Sequence, residues 1–257
     1  YSITERYSPA MKTKWRAFWR QFFEGLGLTV TEMPYTTAHS NGETQGHNLE
    51  AVLPGKSTDS VVIIVHYDSI GPFGQETLNP GVDDDMTGMS MMLELARLLV
   101  AHPGQLKNTV RFVAVDYEEW GSPGLEGSRV YAQYLKALAT ANHFNVIAAI
   151  DNEQSGWNCG SDAYCPASEA EKMFDIYSFS CSGTVYNYSS TLGNQFVASA
   201  AKYGTLATRQ ACMDQASDHY AMWEIGVPSL NFGEHDMLAN PHFDHLGNDT
   251  YDRIDLP

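Results

Sequence analysis

The chain has 257 residues, with 31 Asp and Glu against 15 Lys and Arg, and a formal charge of −16. Such an acidic balance argues against nucleic acid or anionic membrane as a partner and suits cations, metals included. No stretch is apolar over the roughly eighteen residues that a membrane helix needs.

No low-complexity segment or Pro/Ser-rich linker divides the chain, so residues 1–257 read as a single domain, with 1–46 an N-terminal helix and edge region packed on it. Tyr1-Ser2-Ile3-Thr4 is neither an initiator Met nor a signal peptide, and the sequence reads as a processed or excised piece. In chain order, residues 10–25 space Met11, Trp15, Phe18, Trp19 and Phe22 as one face of a helix, with Gly25 as its cap. "HNLEAVLPGK" follows as an edge-hairpin region. "VVIIVHYDS" then runs five apolar β-branched residues into His66 and Asp68, the pattern of a central strand covered on both faces. The loop "IGPFGQETLNPGVDDDMTG" is too long for a plain connector.

A helix over "TGMSMMLELARLLVAH", a strand in "TVRFVAVDYEEWG", a helix over 124–140 and a strand in "NVIAAIDNEQ" come next. Helices near 194–203 and 217–225 and the strand "PSLNFG" complete the pattern. Strands alternating with helices predict an α/β fold, a mostly parallel twisted central sheet with helices on both faces. The cysteines Cys159, Cys165, Cys181 and Cys212 fit no zinc-binding spacing. Their even number predicts one or two disulfides of unspecified pairing, and an oxidising compartment, secreted or periplasmic.

Each central strand ends in acid or histidine: His66 and Asp68, then Asp116, Glu118 and Glu119, then Asp151 and Glu153. Open α/β sheets bind ligands beyond the carboxyl ends of their strands, so these groups converge. So many carboxylates share one pocket only if cations neutralise them, and imidazole with carboxylate points to zinc or a similar divalent ion. Asp68, two residues beyond His66, suits the carboxylate that orients a metal-bound imidazole. Of the three aspartates in "PGVDDDMTG", one suffices to cap the following helix, which leaves at least one for a metal. Of the adjacent glutamates in "DYEEWG", one binds metal while the other stays free as general base.

Taken together, "HYDS", "PGVDDDMTG", "DYEEWGSPGLEGS", "AAIDNE", "SDHYAMWEIGVPS" and "NPHFDHLGNDTYDRID" resemble the M28 family of zinc aminopeptidases, bacterial leucyl aminopeptidases among them, from about residue 47 to 257. The resemblance implies a phosphorylase/hydrolase-like domain with two Zn2+ ions that removes N-terminal residues from peptides with a free N-terminus. By matching motif, His66 and Asp151 would bind one zinc, Asp84 would bridge both, and Glu119 and His245 would hold the second. Glu118 would be the general base and Asp68 the partner of His66. His245 is preferred to His242 because it stands four residues before Asp249, and His219 resembles a structural histidine near the site. Cys212 matches a half-cystine of some relatives whose partner position here is Ala216. Apart from the resemblance, Trp157, Tyr186, Met213 and Phe243 are candidates for a specificity pocket, but large apolar residues near loops are usually packing and they single out no substrate. The rival readings are a glutaminyl-peptide cyclotransferase with one zinc, which shares the fold, and a non-catalytic binding module.

Overall fold

The protein is described by a computed structural model for residues 5–39, 41–70, 79–102, 104–120, 124–157, 173–182, 188–214, 216–235, 237, 240 and 249–254. Helices are α1 (Pro9–Gly25), α2 (Met86–Val100), α3 (Glu126–Asn142), α4 (Tyr188–Tyr203) and α5 (His219–Glu224). Strands are β1 (Thr29–Thr36), β2 (Gln45–Leu53), β3 (Ser57–His66), β4 (Asn108–Val115), β5 (Val146–Asn152), β6 (Met173–Phe179), β7 (Ala207–Cys212) and β8 (Ser229–Glu234). They form one eight-stranded sheet in the order β1-β2-β4-β3-β5-β8-β6-β7. The inner strands β4, β3, β5 and β8 pair in parallel, while β1 with β2, β2 with β4, and β8 with β6 pair antiparallel.

Period-two alternation along β3 feeds two cores. Ile63 and Val65 point to the face where α1 and α2 bring Trp19, Phe23, Met89 and Met92; Val62 and Ile64 point to the face where α3 and α5 bring Tyr131, Leu135, Ala221 and Met222. Helices therefore cover both faces, as a doubly apolar strand requires.

Local details differ from the expectations. The "HNLEAVL" part of that region lies in β2, which pairs with β1 and β4, so the hairpin is β1–β2. β1 escapes the pattern because it is an edge strand with mostly exposed or half-exposed side chains. In α1 the buried positions are Lys12, Trp15, Trp19 and Phe23, whereas Phe18 is 45% exposed. A lysine on the buried stripe disguises its phase: Lys12 Nζ lies 2.5 Å from Glu43 and 2.8 Å from Asp116, over the Tyr117 ring. Helix α1 also runs through Gly25. Its stop is Gly27 at φ +81°, with Gly27 N–H donating to Glu24 and Leu28 N–H to Phe23, the pair of bonds that closes a helix around a left-handed residue.

Candidate metal centre

Parallel register aligns the ends of the inner strands: His66 lies opposite Val115, and Ile64 opposite Asp151. His66 is 1% exposed, its Nε2 2.9 Å from Asp84 Oδ1 and 3.4 Å from Glu153 Oε1, its Nδ1 3.5 Å from Asp68 Oδ1. One donor atom each of His66, Asp84 and Glu119 falls within 4.8 Å of the others. Both His66 nitrogens and Asp84 Oδ1 are buried and make no hydrogen bond. Each buried group left without one costs about 1–3 kcal/mol, a cost that a cation shared among them would offset. The donor set, imidazole with carboxylates, fits zinc. Burial opposes a charge on His66, yet Glu153, Asp68 and Asp84 together raise its pKa well above the ordinary histidine value.

The three aspartates divide their work. Asp85 caps α2, its Oδ1 accepting from Gly88 N–H at 3.0 Å and its Oδ2 from His66 N–H at 3.3 Å. Asp83 accepts from Gly156 N–H at 2.7 Å and Thr87 Oγ at 3.2 Å. Asp84 alone turns its Oδ1 to His66, while its Oδ2 accepts from Gln154 at 3.2 Å. The main chain of the turn is held by Asp249, which accepts from Asp83 N–H at 2.6 Å and Asp84 N–H at 2.9 Å. Burial in this acidic setting pushes Asp249 up to about 7. Its bracing role was invisible in the sequence, where Asp249 served only to align His245.

Glu118 and Glu119 follow β4 after Tyr117, whose φ of 56° turns the chain. Asp68 is fully buried and accepts both main-chain N–H groups, Glu118 at 3.1 Å and Glu119 at 3.3 Å. One carboxylate thus ties the His66 strand to the glutamate turn. Burial works against its charge, but His66, Lys12 and the Glu118 N–H hold Asp68 below the usual range. Glu118 and Glu119 are half-buried. Burial first, and then neighbouring carboxylates, raise both well above the ordinary glutamate value.

Asp151 lies outside the trio. Its Oδ2 accepts from Ser217 Oγ at 2.8 Å and His219 N–H at 2.9 Å, with His219 Nδ1 at 3.3 Å, and its Oδ1 is buried without a hydrogen bond. Glu153, which motif matching left without a role, comes nearer to His66, and its Oε1 lies 2.7 Å from Ser217 Oγ. Burial and Asp84 push Glu153 up to about 7. Only its place at a strand end signalled it. Asp218 is fully buried beside Asp151, and burial, then Asp151, raises its pKa strongly. His245, His242, Tyr186, Phe243, Cys159 and Cys165 lie outside the described residues; Trp157 and Met213 are buried.

Cys181 and Cys212 form a disulfide joining the end of β6 to the end of β7. An apolar cleft of about 390 Å³ between α2 and α4 is lined by Met91, Met92, Leu95, Leu98, Phe196 and Phe232. Among the described residues Glu94 is the one ionisable group on its walls, so they offer none of the chemistry gathered beyond the strand ends.

The sequence profile of peptidase family M28 matches residues 48–257. A probable leucine aminopeptidase of Arthroderma otae is 26% identical over 212 residues, 81% of this chain and 52% of its own length. Aminopeptidase YwaD of Bacillus subtilis is 31% identical over 180 residues, 69% of this chain and 32% of its own. The chain therefore spans about half or less of these curated relatives. Among solved structures, the Legionella pneumophila LapA aminopeptidase superposes with a TM-score of 0.75 at 19% identity, over 99% of this chain and 63% of that one. A glutaminyl cyclase of Fimbriiglobus ruber gives 0.72 at 23% identity, over 98% and 84%. Both share the fold of the eight-stranded sheet, and the profile match takes in every strand except β1 and the first three residues of β2. On that match the chain belongs to peptidase family M28.

Proposed function

We propose that this chain is a zinc-dependent aminopeptidase that hydrolyses the peptide bond following a free N-terminal residue. The observation that carries the reading is the convergence of buried His66 and Asp84 with half-buried Glu119, and Glu118 beside them. His66, Asp84 and Asp151 would hold one ion, and Asp84, Glu119 and His245 a second. Zinc bound there supplies Lewis acidity toward a water and a peptide carbonyl. Glu118 takes the proton of the attacking water and passes it to the leaving amine, the work of a carboxylate left free beside the metal ligands. Asp68 fixes the His66 ring and the main chain of both glutamates, so base and ligand keep their spacing. The acidic wall at the strand ends attracts the α-ammonium of a substrate, which favours cleavage at a free N-terminus.

A second reading, a glutaminyl-peptide cyclotransferase with a single zinc, has one observation in its favour: the trio supplies three protein ligands, the number usual for one catalytic zinc. Zinc per chain, measured by elemental analysis, together with hydrolysis of aminoacyl reporters, separates the two. Two ions and release of the reporter support the aminopeptidase; one ion, no hydrolysis and cyclisation of an N-terminal glutamine would replace it. A secreted or periplasmic location accompanies the proposal, supported by the Cys181–Cys212 bond. Thiol labelling of protein taken directly from its native compartment tests it, since labelled Cys181 and Cys212 would contradict it.

A further inference from the structure

Arg6 precedes the family-matched stretch and is fully buried, which an arginine tolerates only when its donors are met. A guanidinium carries five N–H donors in a planar fork. All five end on main-chain carbonyls: Nε on Tyr67 at 3.0 Å, Nη2 on Asp68 at 3.1 Å and Asp84 at 2.8 Å, and Nη1 on Pro80 and Gly81. The Arg6 main-chain N–H donates to Ser69 Oγ at 2.9 Å, and that hydroxyl donates to the Asn79 carbonyl at 2.9 Å. These acceptors belong to two segments, the end of β3 with His66 and Asp68, and the turn with Asp84.

The turn is shaped to the fork. Gly81 sits at φ +59°, and a Cβ there would fall 2.3 Å from the Asp84 carbonyl and 2.7 and 2.8 Å from the two terminal guanidinium nitrogens. The next residue, Tyr7, stacks on Trp120 with ring centroids 4.5 Å apart, immediately after Glu119. Consecutive residues of the N-terminal segment therefore brace all three stretches that carry the trio.

We propose that Arg6 is a positioning residue: by spanning the two segments with five main-chain bonds it sets the His66–Asp84 spacing, and through it the affinity for a divalent cation. This rests on the zinc reading above. Lysine keeps the charge but has one nitrogen and three donors, and cannot reach five carbonyls across a fork. The test compares Zn2+ affinity, by competition with a chromophoric chelator, and unfolding temperature in the wild type, Arg6→Lys and Phe23→Leu. Phe23→Leu loosens the α1 core away from the site. Zinc binding by Arg6→Lys is expected to be ~10–100-fold weaker, the usual loss when a supporting partner of a metal ligand is removed, with Phe23→Leu within about twofold of wild type. Equal affinities for Arg6→Lys and wild type overturn the proposal, as does an equal loss in Phe23→Leu, which would make affinity a mere tracer of stability. Should Arg6→Lys fail to fold, Ser69→Ala removes only the hydroxyl link; a loss of at least about threefold at an unchanged unfolding temperature is expected, and no loss counts against the proposal. Wild type that takes up no zinc overturns the zinc reading itself and this inference with it.

Discussion

At the scale of single residues, adjacent glutamates of the same type acquire different work from what surrounds them. Glu119 joins His66 and Asp84, while Glu118 lies beside them with a carboxyl pushed up by burial. Glu118→Gln is expected to lower turnover by ~10²–10⁴-fold, the usual worth of a general base, with zinc content unchanged. Elemental analysis of that variant is the check, and lost zinc would mean that the two glutamates exchange roles. Asp68→Asn keeps the volume but removes one of the two oxygens that accept from the glutamate turn. Its zinc affinity is expected to fall by ~10–100-fold in chelator competition, and an unchanged affinity would count against Asp68 as the orienting partner.

At the scale of elements, the aspartate turn and α1 show how far local pattern carries. One aspartate as helix cap was legible in "PGVDDDMTG", and Asp85 fills that role. Which of the others faces His66 depends on Asp249, more than a hundred residues away in sequence, and on Arg6. In α1 the aromatic stripe was legible but its phase was not, because Lys12 occupies a core position and is satisfied by Glu43 and Asp116 from other elements. Phe23, missing from the expected stripe, is fully buried against Phe112. Phe23→Ala is expected to cost ~3–5 kcal/mol in chemical denaturation, whereas the same change at exposed Phe18 should cost well under half of that. Equal costs would restore the sequence-derived phase.

At the scale of the whole molecule, the strand ends concentrate acid within a protein of net charge −16. Without metal, Glu118 and Glu119 are raised by burial and by neighbouring carboxylates, Asp116 is pushed up to about 6 and Glu153 to about 7. The folded state then holds protons that the unfolded chain releases near the ordinary glutamate value, so stability falls as pH rises through that interval. His66, raised by the same carboxylates, acts in the same direction. The unfolding temperature of metal-free protein is expected to drop between roughly pH 5 and 7, and added zinc to restore it increasingly toward the upper end, because the ion displaces those protons. A metal-free unfolding temperature that climbs over this interval would contradict the assignment. Calorimetric zinc titration in two buffers of different ionisation enthalpy should register proton release.

The sequence by itself determined the layered α/β architecture and the polar wall at the strand ends. A continuous apolar run such as 61–65 can be buried only between two layers of helices, and the groups that interrupt it can lie only where the strand stops. It left out β1, β6 and β7, whose side chains are less uniformly apolar than those of the inner strands. Tertiary structure alone decided which acids meet. The approach of Glu153 to His66, the turning of Asp151 toward Ser217 and His219, and the five-carbonyl grip of Arg6 all depend on register and on backbone acceptors. Backbone carbonyls are the same in every residue, so no pattern of side chains records which of them a buried guanidinium will find.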